Sequence, residues 1–139
     1  MERVVAAGFS GGSSASPRAL LAVDCAGALL SAVLLGVVLM RLERVFGMPA
    51  DALVVLAAIP VVFAVYDAVA LAAARGDAHR WLLPIGLANL GYCLVSVVYV
   101  LAHAERLRVA GWVYFVLELV VVVSLAGLQL RVWWRRSGR

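Results

Sequence analysis

Hydrophobic and polar positions fall into long blocks along this chain. Four apolar runs, about residues 18–40, 50–74, 81–101 and 109–130, are separated by short polar stretches rich in arginine. A helix of about 20 apolar residues spans the hydrocarbon of a bilayer, and connections this short join antiparallel neighbours. The predicted fold class is therefore an all-α membrane protein, an antiparallel four-helix transmembrane bundle over residues 17–134. Residues 1–16, rich in Gly and Ser, have no apolar surface to offset the entropy of ordering and read as a flexible tail. Residues 135–139 read as a basic C-terminal tail.

Punctuation residues support these boundaries. Ser16-Pro17 suits a helix start, the serine as a cap and the proline in the first turn. Arg41 to Arg44 and Gly47-Met48-Pro49 read as the first turn, and Arg75-Gly76-Asp77 ends the second run with a glycine where a left-handed cap is favourable. Trp81 and Trp133-Trp134 mark the headgroup zone. Pro60 lies inside the second helix and is expected to kink it or loosen one turn.

Within each run the small and polar residues recur at spacings of three and four, the signature of one helical face. That face carries Asp24, Gly27, Ala28 and Ser31 in the first helix, and Ala57, Pro60, Ala64, Asp67 and Ala74 in the second. Gly86, Asn89, Tyr92, Cys93 and Ser96 share it in the third. Gly111, Tyr114, Glu118, Leu125 and Gln129 share it in the fourth. At 1.5 Å per residue, Asp24 lies roughly 9 Å in from Arg18, Asp67 about 12 Å in from Arg75 and Asn89 about 12 to 14 Å in from Arg80. Those three form one layer, whereas Glu118 comes out deeper, about 18 to 20 Å from Arg131.

A charge at the bilayer centre costs at least roughly 2.5 to 3.5 kcal/mol, so these carboxyl groups must face inward, be protonated, or both. No arginine lies deep enough to pair with Glu118, and its expected neighbours are Asn89, Tyr92, Tyr114 and Ser96. Asp24, Asp67, Asn89, Tyr92, Tyr114 and Glu118 are thus the candidate ligand or proton site. The plainer alternative is that they are interhelical glue, worth about 0.6 kcal/mol per hydrogen bond.

Composition narrows the function classes. With 65% hydrophobic and 14% charged residues among 139, and a net charge of +4, the chain leaves no segment for a separate soluble domain. All basic residues are Arg, and they sit at the ends of the apolar runs, which argues for membrane orientation and against nucleic-acid binding. The end shared by both termini holds Arg3, Arg18, Arg75, Arg80, Arg131, Arg135, Arg136 and Arg139. The other end holds Arg41, Arg44, Arg106 and Arg108, so both termini are expected in the cytoplasm.

Catalytic chemistry has little to stand on. His79 and His103 fall at opposite surfaces, Cys25 and Cys93 lie in different helices without a paired motif, and nothing resembles a nucleophile with its base. Neither a metal nor a cofactor is expected. The lipid bilayer is the expected environment, with a homo-oligomer or a membrane partner protein compatible with the sequence.

Asp24, Phe46-Gly47-Met48-Pro49, Pro60 to Asp67, Asn89-Leu90-Gly91-Tyr92, and Gly111 through Glu118 to Gln129 give the chain a family likeness. Over most of residues 18 to 130 it resembles a family of small four-span bacterial membrane proteins of uncharacterised role. The resemblance implies a multi-pass protein of a bacterial inner membrane and brings no activity with it. The expected function is a non-catalytic membrane protein whose acid and amide cluster assembles the bundle or binds a partner or small ligand. The alternative is a proton-coupled transporter of a small solute.

Overall fold

The computed structural model describes residues 15–139, so the expected flexible tail lies outside the described residues except at Ala15 and Ser16. The described chain is all-helical. Four helices are long and apolar enough to cross a membrane: α1 Pro17–Leu39, α3 Ala50–Ala73, α4 Ala78–Ala102 and α5 Val109–Ser137, with a short α2 Glu43–Phe46 in the first turn. This is a multi-pass membrane protein.

Ser16 accepts a hydrogen bond from the Ala19 N–H at 3.1 Å, capping α1 above Pro17. The last six residues of α1, Leu34–Leu39, form a π-helical segment. Such a segment adds one residue to a turn and locally re-aims the side chains. The expected disturbance at Pro60 takes a different form: α3 runs through the proline as one helix, and the departure from α geometry lies on its neighbour α1. At that level Gly36 approaches Ala57, where an added Cβ would stand 3.3 Å from the alanine methyl.

α1 packs along α3, and α4 packs along α5, so the bundle is a pair of hairpins. The α3 stripe of Ala57, Pro60, Ala64, Asp67 and Ala74 is buried, as is the α4 stripe of Gly86, Asn89, Tyr92, Cys93 and Ser96. Small residues on these stripes bring the backbones close, which is how helices associate where lipid removes the hydrophobic drive between them. Leu29, Val62, Leu94 and Val121 are among the large apolar residues left on the outer circumference, where acyl chains replace water.

Backbone contacts lock the two ends. At the turn end, Gly47 adopts φ +84 and ends α2, and the Phe46 carbonyl accepts from the Arg108 N–H at 3.0 Å. A Cβ on Gly47 would collide with the Arg106 carbonyl oxygen, and one on Gly111 with the Phe46 carbonyl oxygen. The two turns therefore interlock only because both positions are glycine. At the end shared by the termini, Arg18 donates to the carbonyls of Ala74 at 2.6 Å and Leu71 at 3.0 Å. Its guanidinium supplies donors that the last turn of α3 lacks within its own helix.

α5 differs from its expected extent. It continues past Leu130 to Ser137, so Arg135 and Arg136, expected in a tail, belong to its last turn. No helix breaker precedes Gly138, and arginines at a helix C-terminus face the negative end of its dipole.

Candidate functional site

Two apolar clusters occupy the ends of the bundle. One, at the turn end, centres on Leu35, Leu39, Met48, Leu53, Leu56 and Phe115; the other, at the terminal end, on Leu20, Leu21, Ala70, Leu82 and Ile85. The polar groups lie between them. Asp24, Asp67, Asn89 and Glu118 are all buried, at 4%, 0%, 3% and 8% exposure, as is Tyr92, while Tyr114 is half-buried. None of the four polar side chains points at lipid.

They divide into two groups. In the first, Asp24 Oδ2 accepts from Asn89 Nδ2 at 2.9 Å and from Gln129 Nε2 at 2.7 Å, and Asn89 Nδ2 also reaches Gln129 Oε1 at 3.3 Å. This closed triangle ties α1, α4 and α5 together. The Asp67 carboxyl of α3 is buried beside that of Asp24, and neither of its oxygens has a hydrogen-bond partner. All four helices thus contribute one member.

In the second group, Glu118 Oε1 accepts from Tyr92 Oη at 3.2 Å and from Tyr114 Oη at 3.3 Å. Oε2 is buried and has no hydrogen-bond partner. Ser31 of α1 stands near Glu118 without completing a bond to Oε2. Of the four expected neighbours of Glu118, Tyr92 and Tyr114 bond it, whereas Asn89 shares its cavity but bonds Asp24 and Gln129, and the Ser96 hydroxyl has no hydrogen-bond partner. One helical turn along α4 separates Asn89 from Tyr92, enough to send each toward a different acid.

Gln129 is the member that sequence reasoning left out of the site, although it shares the inner face of α5 with Glu118. Its place on that face, four residues after Leu125, was the available signal, although an amide two residues inside Arg131 also reads as part of the headgroup boundary; in the structure its side chain is fully buried.

Between the hairpins lies a cavity of about 260 Å³, walled chiefly by α1 and α5, with Pro60 and Phe63 of α3 at its back. Asp24, Asn89, Tyr92 and Glu118 reach it, and the rest of the lining is almost wholly apolar. Its rim includes Leu30 at 60% exposure on α1 and Leu117 at 60% on α5, both on the outer circumference. The mouth therefore faces the acyl chains of the bilayer, at mid-helix depth.

Cys25 and Cys93 are free thiols, and the Cys25 thiol donates to the Ala64 carbonyl at 3.5 Å. Tyr66 donates to the Trp81 carbonyl at 3.1 Å, a packing and capping role outside the cavity. Among the described residues no group of His, Cys, Asp and Glu is arranged to hold a metal ion. No family model, curated protein or solved structure matches the chain.

Proposed function

We propose that this is a non-catalytic polytopic protein that binds a small lipid-soluble molecule in the cavity between α1 and α5. The observation that carries this reading is the Glu118 carboxyl: it lines an apolar cavity, is buried, and keeps one oxygen without a donor. A buried acceptor left unpaired costs about 1–3 kcal/mol, which a ligand donor at that point recovers. Phe63, Tyr92 and Tyr114 bring aromatic rings to the same wall, and aromatic faces with a carboxylate attract a cation. The class of ligand that fits is an apolar body with an ammonium or other N–H head, entering sideways from the bilayer.

The test is binding of a fluorescent lipophilic amine to the full chain in nanodiscs. Glu118→Gln should weaken binding about tenfold, the loss of one charge-assisted contact. Equal affinity of wild type and Glu118→Gln for the amine overturns the reading.

A second reading, a proton-coupled carrier of the same class of solute, is favoured by Asp24 and Asp67, two buried carboxyl groups on the packed helices α1 and α3, of which Asp24 lines the cavity. In liposomes bearing a pH gradient, a carrier accumulates the amine and Asp67→Asn abolishes accumulation while sparing binding. A simple binding protein shows no accumulation in either form.

The orientation follows from charge. Arg18, Arg75, Arg80, Arg131, Arg135, Arg136 and Arg139 outnumber Arg41, Arg44, Arg106 and Arg108 at the other end. This supports both termini in the cytoplasm, and the family resemblance implies a bacterial inner membrane. Reporter fusions at Arg139 that are active in the cytoplasm and silent outside it are the expected result.

A further inference from the structure

A second concavity lies at the terminal end of the bundle, away from the cavity. It measures about 660 Å³ and is formed where the end of α5 passes the turn between α3 and α4. Arg131, Arg135 and Arg139 recur every four residues along one side of it, joined by Arg136, and His79 stands in the opposite wall. Asp77 also lines the cleft, but its ion pair is with Arg80, at 3.9 Å, and among the described residues none of these four arginines is in an ion pair. On the membrane side of the arginines the lining is Leu128, and Val132 stands between Arg131 and Arg135. Leu128 and Val132 continue the α5 stripe from Leu125, which lines the cavity, at spacings of three and four.

We infer that this cleft binds the phosphate of an anionic phospholipid, with the headgroup between Arg131, Arg135 and Arg139 and an acyl chain along Leu128 and Val132. Three features of the cleft select this occupant. Guanidinium groups match phosphate in geometry and charge, and remain charged at any accessible pH. Arg135, Arg136 and Arg139 lie beyond Leu128 and Val132, in the order that a phospholipid presents phosphate and chain. A soluble phosphate has no use for Leu128 and Val132, and a zwitterionic lipid brings an ammonium to a site already rich in cations. Trp133 and Trp134, the latter 74% exposed, sit at the level where indole rings anchor to headgroups.

The experiment uses the full chain in phosphatidylcholine nanodiscs, with acyl-brominated phosphatidylglycerol or brominated phosphatidylcholine added as quencher of tryptophan fluorescence. Brominated phosphatidylglycerol should be preferred about tenfold at low salt, since each basic residue at an anionic surface contributes on the order of fivefold. In R131Q/R135Q/R139Q the preference should fall to about twofold, with helicity and elution volume unchanged, whereas R41Q/R44Q at the opposite surface keeps it. Raising salt on the wild type should reduce the preference in the same direction, a readout that does not depend on any variant folding. Equal quenching by both lipids overturns the inference, as does the same loss in R41Q/R44Q. Complete displacement by millimolar pyrophosphate also overturns it and assigns the cleft to soluble phosphates.

Discussion

The two polar groups in the middle of this bundle are built from the same materials and finished differently. Around Asp24, three helices close a triangle in which one carboxylate oxygen takes two amide donors and the amides also meet each other. Around Glu118, two tyrosine hydroxyls converge on one oxygen and leave the other without a donor, on a side chain that lines a cavity. An intramembrane acid is a functional candidate by default, and the two groups differ in where an unpartnered acid sits: Asp67 lies off the cavity beside the triangle, whereas Glu118 lines the cavity. A polar group whose partners are all within the protein holds helices together. One with a spare acceptor at a cavity wall is available to something from outside.

Breaking the triangle around Asp24 should do the most damage to the fold. Asp24→Leu removes the acceptor of both amide bonds and strands the Gln129 amide group and Asp67 in a dry interior, a cost of about 3 kcal/mol. Unfolding of the detergent-solubilised chain by SDS titration should show it as a large drop in midpoint. A midpoint unchanged from wild type would mean that the triangle is not what joins the hairpins.

Glu118→Gln should do the reverse. Both tyrosines can still donate to the amide oxygen, so the change in stability should stay near the 0.6 kcal/mol typical of one membrane hydrogen bond. The same variant loses about tenfold in amine affinity, which is roughly 1.4 kcal/mol. A stability loss as large as that of Asp24→Leu would erase the distinction between the two acids.

Arg18→Ala tests whether the fastening extends to the membrane surface. Two hydrogen bonds to the end of α3 disappear, but water at the headgroups can replace them. The expected cost is about 1 kcal/mol, again by SDS titration.

Much of this arrangement was legible from residue spacing. The four spans follow from apolar length, and the inner faces of α3 and α4 follow from small and polar residues three and four apart, all of them buried in the folded chain. What spacing could not supply were quantities set by relations between helices. Depth arithmetic put Glu118 in a deeper layer than Asp24, Asp67 and Asn89. Which amide answers which acid, however, depends on helix rotation, so Glu118 was paired with Asn89 and Ser96 and Gln129 was overlooked. The cavity is a void between α1 and α5, and a void has no residue to announce it. The π segment at Leu34–Leu39 lies in a run of Leu, Val and Gly that is equally compatible with α geometry, and the end of α5 extends because charge and tryptophan do not stop a helix.

The smallest expected effect is also the one that bears most directly on whether the polar groups are two or one. Asn89 touches Gln129 across α4 and α5 but has no bond to Glu118. In a double-mutant cycle, Asn89→Ala with Gln129→Ala should therefore deviate from additivity by at least about 0.5 kcal/mol, because each truncation leaves the other amide already short of a partner. Asn89→Ala with Glu118→Gln should be additive within about 0.3–0.5 kcal/mol, even though Asn89 and Tyr92 are one turn apart. Coupling of similar size in both cycles would mean that the two acids belong to one cooperative network running the depth of the cavity. A ligand drawn to Glu118 would then be felt at the fastening around Asp24, which is the behaviour expected of a carrier and not of a static binding site.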